Sequence, residues 1–174
     1  MRNSLSYLIE VLGDLYLLLF LLRFIMQWIR ADFYNPLAQF IVRATNPLVI
    51  PARRVVPSSG GVDLPTLVVL ILLEAVFTGL LIYIASVPTS FGQITGLVLL
   101  RLLTLTLNLY TWTILIYVIL SWVGPRGYHP VTTILAELNE PVLRPIRRIL
   151  PPISGLDLSP LLAIILIQAI LRAI

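Results

Sequence analysis

Four apolar stretches, at about residues 7–29, 66–87, 96–123 and 158–174, constrain this chain more than any other feature. A helix needs about 20 apolar residues to cross hydrocarbon. The first three stretches reach that length. The fourth spans only about 26 Å at helical rise. The expected fold class is therefore an all-α membrane protein with four transmembrane helices. Composition excludes the main alternative: 59% of the 174 residues are hydrophobic, 11% are charged, and the mean hydropathy is +0.99. A soluble domain is about a quarter charged, so this chain cannot cover a water-facing surface. The first stretch does not read as a cleavable signal. It is too long, it carries Glu10 and Asp14, and no small-x-small site follows it.

Charge placement predicts the topology. All twelve basic residues are arginine. Segment 30–65 carries Arg30, Arg43, Arg53 and Arg54; segment 124–160 carries Arg126, Arg144, Arg147 and Arg148; the connection 86–95 has no charge. The positive-inside rule puts both long loops in the cytoplasm and both termini in the periplasm. Arg2, Arg101 and Arg172 lie on the other side and are outvoted. The net charge of +4 is thus a topology signal and no sign of nucleic-acid binding. Trp28, Trp122 and Tyr128 fall where spans meet the inner interface and read as an aromatic belt.

The sequence repeats itself. Displaced by 94 residues, 28–64 and 122–158 match at eleven of 37 positions without a gap. Average composition would give about two or three. The matches include Trp28/Trp122, Pro47/Pro141, Pro51/Pro145, Arg53/Arg147, Arg54/Arg148, Gly61/Gly155 and Asp63/Asp157. The expected units are 1–95 and 96–174, each with two spans. An even number of spans inserts both copies in the same direction, as tandem parallel repeats.

Each copy follows one plan. Pro36 or Pro130 suits the first turn of a helix. Leu37, Phe40, Ile41 and Ala44, or Val131, Ile134, Leu135 and Leu138, then recur at helical spacing, with Gln39 and Arg43, or Thr133 and Glu137, opposite. This predicts a short amphipathic helix that either lies at the interface or packs on the span ends. Pro47, Pro51 and Pro57, and Pro141, Pro145 and Pro151, predict an extended or kinked stretch after it. Asp63 and Asp157 are placed to cap the following spans.

The repeated pattern Pro-x-Arg-Arg-x-x-Pro, at 51–57 and 145–151, followed by Gly-x-Asp at 61–63 and 155–157, resembles the YggT family, also called YlmG. The resemblance covers nearly the whole chain. It implies a bacterial inner-membrane protein with relatives in chloroplasts. It further implies associations with osmotic tolerance, cell-division gene neighbourhoods and assembly of photosynthetic cytochromes, without one shared activity. Glu140 stands where the first copy has Asn46, and Ser159-Pro160 where it has Pro65-Thr66. The two copies are therefore not expected to do identical work.

Polar groups within spans are functional candidates. Here they are Asp14, Arg23, Glu74, Arg101, Asn108 and Gln168, where Asn108 repeats Asp14 and Gln168 repeats Glu74 without charge. Similar depths pair Arg23 with Glu74 and Asp14 with Arg101; the alternative is that each arginine reaches for its nearest interface. The doublets Arg53–Arg54 and Arg147–Arg148 lie at the inner surface, either as topology anchors or as sites for anionic lipid headgroups, a phosphate or acidic partner proteins. Enzyme chemistry is not expected. Cysteine is absent, His129 is the only histidine and reads as part of a turn, and no phosphate-cradling loop, nucleophile elbow or nucleotide fingerprint is present. No metal or cofactor is expected. The preferred reading is a non-enzymatic accessory protein that contacts lipids or membrane partners through its Pro-x-Arg-Arg loops, the partners being other membrane proteins or further copies in a homo-oligomer. The alternative is a small ion or solute pathway linked to osmotic balance, lined by Asp14, Asn108, Glu74 and Gln168.

Overall fold

The computed structural model describes residues 2–58, 61–123, 129–150 and 157–174. Arg126, expected to set topology, Tyr128, expected in the aromatic belt, and Pro151 and Gly155 of the repeated motif lie outside the described residues. Six α-helices are present among the described residues, with no strand: α1 (Arg2–Trp28), α2 (Pro36–Val55), α3 (Leu64–Ala85), α4 (Phe91–Val123), α5 (Pro130–Ile149) and α6 (Ser159–Ala173). Two of them, Leu64–Ala85 and Phe91–Trp122, are long and apolar enough to cross a membrane. Helix α1 has the length but carries Glu10, Asp14 and Arg23, and α6 has only 15 residues.

Helix starts follow from local chemistry. Asn35 precedes Pro36 and its side-chain oxygen accepts the Leu37 N–H at 3.0 Å, capping α2. Ser90 and Gln93 form a reciprocal capping box: the Ser90 N–H donates to Gln93 Oε1 at 2.8 Å and the Gln93 N–H to Ser90 Oγ at 3.4 Å. Helix α4 therefore begins five residues before the apolar run expected from 96. At the other end of the hairpin, Ser86 takes a left-handed φ of 56° and closes α3.

The stretches expected to be extended or kinked are helical as far as Val55 and Ile149, and Pro57 lies beyond the end of α2. Pro47 and Pro51 lie inside α2, and Pro141 and Pro145 inside α5. Prolines four residues apart share one helix face, so the missing N–H groups and ring clashes fall on a single side. All four prolines are exposed, while the opposite face is held by packing. In α2 that inner face is Ile41, Thr45 and Val49; in α5 it is Ile134, Leu135, Leu138, Asn139 and Leu143. Of the apolar stripe expected on α2, the first members point outward. Leu37 and Phe40 are 36% and 59% exposed, and only Ile41 of that set is fully buried. In α5, Ile134, Leu135 and Leu138 face inward.

The chain divides into two compact units, residues 1–28 with 40–105, and 29–39 with 106–174. In the first, α1 packs along α3. Leu17, Phe20, Leu21, Val69 and Leu70 are buried there. Gly13 permits the close approach: a Cβ built on it would lie 2.9 Å from the Phe77 ring. Gly13→Leu is expected to destabilise this unit by about 1–3 kcal/mol through overpacking. Unfolding of the variant in mixed micelles checks this, and stability equal to wild type would refute it. In the second unit, α5 packs on α6. Ile114, Leu143, Ala163 and Ile167 form its buried cluster.

Candidate functional site

Three polar centres emerge among the described residues. The first surrounds Arg101, in the part of α4 that belongs to the first unit. Its Nε donates to Glu74 Oε1 at 2.6 Å, its Nη2 to Asp14 Oδ1 at 2.9 Å and its Nη1 to Glu10 Oε1 at 3.3 Å. Thr78, one turn beyond Glu74, donates its hydroxyl to the same Glu74 oxygen at 2.8 Å. Glu74 is 1% exposed, whereas the Asp14 and Glu10 side chains are nearly half exposed. A carboxylate buried that deeply is tolerated only when paired and hydrogen-bonded. One guanidinium thus ties three carboxylates from two helices to a third helix. Depth along the spans put Asp14 beside Arg101, and the structure joins them. It does not join Arg23 to Glu74, because Arg101 already occupies the glutamate.

Arg23 organises the second centre and is 4% exposed. Its Nη1 donates to Thr45 Oγ1 at 2.7 Å, Asn46 Oδ1 at 2.9 Å and the Val42 carbonyl at 3.3 Å, all on α2. Its Nε lies 3.8 Å from Asp63 Oδ2. Asp63 stands at the N-cap position of α3 but makes no side-chain cap bond. Its Oδ2 instead accepts from Arg53 at 3.1 Å and from the Thr66 hydroxyl at 2.7 Å. The capping role expected of Asp63 is corrected accordingly: two arginines and a threonine compete successfully for the carboxylate.

The second unit repeats one part of this arrangement. Arg147 Nε donates to Asp157 Oδ2 at 2.8 Å, and its Nη1 to Glu140 Oε2 at 2.9 Å. Arg53–Asp63 in the first unit and Arg147–Asp157 in the second are equivalent struts between residues ten apart, made through Nη2 in one and Nε in the other. Asp157 does take a backbone N–H, that of Ser159 at 2.9 Å. Burial alone would raise the Asp157 carboxyl, but the Ser159 and Arg147 hydrogen bonds outweigh it and hold the group below its ordinary 3.8. Arg147 is likewise held up by Asp157 against the opposing effect of burial. A lowered carboxylate contributes stability above its unfolded-state value and loses it as pH falls through the folded one. Wild type is therefore expected to lose stability below pH 3.8 more steeply than Asp157→Asn. Acid unfolding followed by tryptophan fluorescence checks this; parallel curves would refute it.

The remaining candidates are scattered. Asn108 is exposed, and Gln168 reaches Thr111 Oγ1 at 3.5 Å. Asn139, which repeats Thr45, is fully buried and accepts from the Thr113 hydroxyl at 2.8 Å. Trp28 and Trp122 are exposed, as belt residues would be. His129 precedes α5 without a side-chain cap bond. Each doublet is split. Arg53 and Arg147 pair with aspartates, although half of the Arg53 side chain still reaches solvent, while Arg54 and Arg148 are exposed and form no ion pair among the described residues. Sequence reasoning missed Thr45, Asn46, Thr66 and Thr78. Thr66 at i+3 from Asp63 and Thr78 at i+4 from Glu74 were visible as helical neighbours.

A family model described as CCB3/YggT matches residues 2–84 and again 96–174. An uncharacterized protein of Pseudomonas aeruginosa is 44% identical over 173 residues, covering 98% of this chain and 87% of that protein. The uncharacterized protein YggT of Escherichia coli K12 is 38% identical over 169 residues, covering 97% of this chain and 87% of its own length. A chloroplastic YlmG homolog protein of Arabidopsis thaliana is 34% identical over 77 residues, 44% of this chain and 30% of that protein. No solved structure matches.

Proposed function

The chain belongs to the CCB3/YggT family, and on that premise we propose that it is a non-enzymatic accessory protein of the bacterial inner membrane. In this reading α1, α3, α4 and α6 are its four spans, arranged as two parallel repeats. The arginine loops lie on the cytoplasmic side and the termini in the periplasm. The exposed member of each doublet, Arg54 and Arg148, contacts phosphate groups of anionic lipids or acidic surfaces of membrane partners. The observation that carries the reading is the division of labour within the doublets: Arg53 and Arg147 are committed to Asp63 and Asp157, and their exposed neighbours are in no ion pair among the described residues. Basic residues near an anionic surface contribute about 1 kcal/mol each.

The competing reading, an ion or solute pathway with an osmotic role, needs Asp14, Asn108, Glu74 and Gln168 to be available to water. Asp14 is nearly half exposed and Asn108 exposed, but Glu74 is 1% exposed and bound by Arg101, and Asp14 shares that arginine. Charges consumed in this way favour a scaffold. Arg54→Gln/Arg148→Gln is expected to lose phosphatidylglycerol and cardiolipin retention in native mass spectrometry of the purified protein, with stability unchanged. Undiminished retention of both lipids would refute the proposal. Potassium flux through liposomes, abolished by Asp14→Asn/Glu74→Gln, would install the pathway in its place.

A further inference from the structure

The exposed arginines share their helix faces with backbone carbonyls that have lost their donors. In an α-helix the carbonyl of residue i accepts from the N–H of residue i+4. Proline has no N–H. Pro47 and Pro51 therefore strip that donor from the carbonyls of Arg43 and Pro47, and Pro141 and Pro145 strip it from those of Glu137 and Pro141. The affected carbonyls belong to exposed stripes. In α2, Arg43, Pro47, Pro51 and Arg54 recur at spacings of four, four and three, and all are exposed. In α5, Pro141, Arg144, Pro145 and Arg148 recur at three, one and three, and all are exposed. Arg54 and Arg148 lie seven residues, about 10.5 Å along the axis, after Pro47 and Pro141, and helical carbonyls point toward the C-terminus, so the freed oxygens lie about 8 Å from the arginine positions, within reach of one headgroup given the length of the arginine side chain. Each helix thus offers cationic donors and, about a turn and a half away, unsatisfied acceptors. Large apolar side chains flank the α2 stripe, with Phe40, Leu48 and Ile50 exposed beside it.

A ligand complementary to this stripe carries an anionic phosphate and, a few bonds away, N–H donors. We propose that α2 and α5 each hold the headgroup of a phosphatidylethanolamine lipid, its phosphate on the arginines and its ammonium on the proline-freed carbonyls. This rests on the headgroup reading above and adds a chemical selectivity to it. An arginine doublet alone answers only to phosphate. The freed carbonyls answer only to a donor, and the quaternary amine of phosphatidylcholine has none. The prolines, which a helix ordinarily rejects, then have a use: they turn a self-satisfied backbone into an acceptor.

The test is native mass spectrometry of the full chain with phosphatidylethanolamine, its N,N-dimethyl derivative and phosphatidylcholine, matched in acyl chains. These lipids keep phosphate and amine while N–H donors are removed stepwise. Wild type is expected to retain phosphatidylethanolamine about fivefold over phosphatidylcholine, the ratio for one net hydrogen bond per site. Pro47→Ala/Pro51→Ala/Pro141→Ala/Pro145→Ala restores the N–H groups at favourable helix positions, so this variant folds. Its ratio is expected to collapse to about one, because the carbonyls are satisfied again. Arg54→Gln/Arg148→Gln should lower both lipids in parallel. Equal retention of all three lipids by wild type, or a preference that survives the proline replacements, would overturn the carbonyl proposal. It would leave the arginine reading intact provided phosphatidylglycerol is still held. Loss of every phospholipid, phosphatidylglycerol included, would remove both.

Discussion

Arg101→Gln is expected to destabilise the first unit by about 3–5 kcal/mol, the cost of removing one partner from a buried ion pair. The reason is Glu74. It is 1% exposed and has Arg101 Nε at 2.6 Å and the Thr78 hydroxyl at 2.8 Å on a single oxygen. Without the guanidinium its charge has only one hydroxyl to meet it. Asp14 and Glu10 lose the same partner, but nearly half of each side chain reaches solvent, so they add little. Arg101→Gln/Glu74→Gln should recover most of the loss, since a neutral amide pair needs no counter-charge. Reversible unfolding in mixed micelles measures both variants. A single variant as stable as wild type, or a double variant no better than the single, would rule out the pair as the main constraint on α1, α3 and α4.

Arg23→Met is expected to have the second largest effect, about 3 kcal/mol, as hydrogen bonds from a charged donor are worth more than neutral ones. It deprives Thr45, Asn46 and the Val42 carbonyl of their donor and removes one of the two arginines near Asp63. Arg23→Lys should rescue less than half of it. A compact ammonium cannot serve the three α2 acceptors and the aspartate together, as a planar fork does. Protease protection of α2 in reconstituted protein reports the local consequence, because Arg23 is the polar link between α1 and that helix. Full protection in Arg23→Met would refute this assignment.

The sequence made the helical class, the Pro-x-Arg-Arg motif and the family resemblance legible. Two of its failures have clear physical origins. Pairing by depth treated each span as a ladder with charges at rungs. That suffices for Asp14 and Arg101, whose partners are also on spans. It fails for Arg23, whose acceptors sit on α2, a helix between the spans whose backbone Val42 and side chains Thr45 and Asn46 carry no charge to announce them. The prolines misled for a related reason. Their local preference against a helix is real, but Ile41, Thr45 and Val49 on one face, and Ile134, Leu138 and Leu143 on the other helix, supply packing that outweighs it. Spacing by four was the available signal, since it keeps both rings on one side. The division of each arginine doublet into a bracing and an exposed member was not legible, because identical neighbours differ only in which way they face.

Arg101 also sets an order of events during synthesis. Asp14 and Glu74 are both synthesised before residue 101, and α4 supplies the only cation that meets both among the described residues. A chain ending after α3 would leave Glu74, buried in the complete unit, with only the Thr78 hydroxyl to meet its charge, the situation in which a buried carboxylate is strongly destabilising. The first pair of long helices is therefore an unfinished product until translation has entered the next one. The first unit is complete only when the opening residues of α4 have joined α1 and α3.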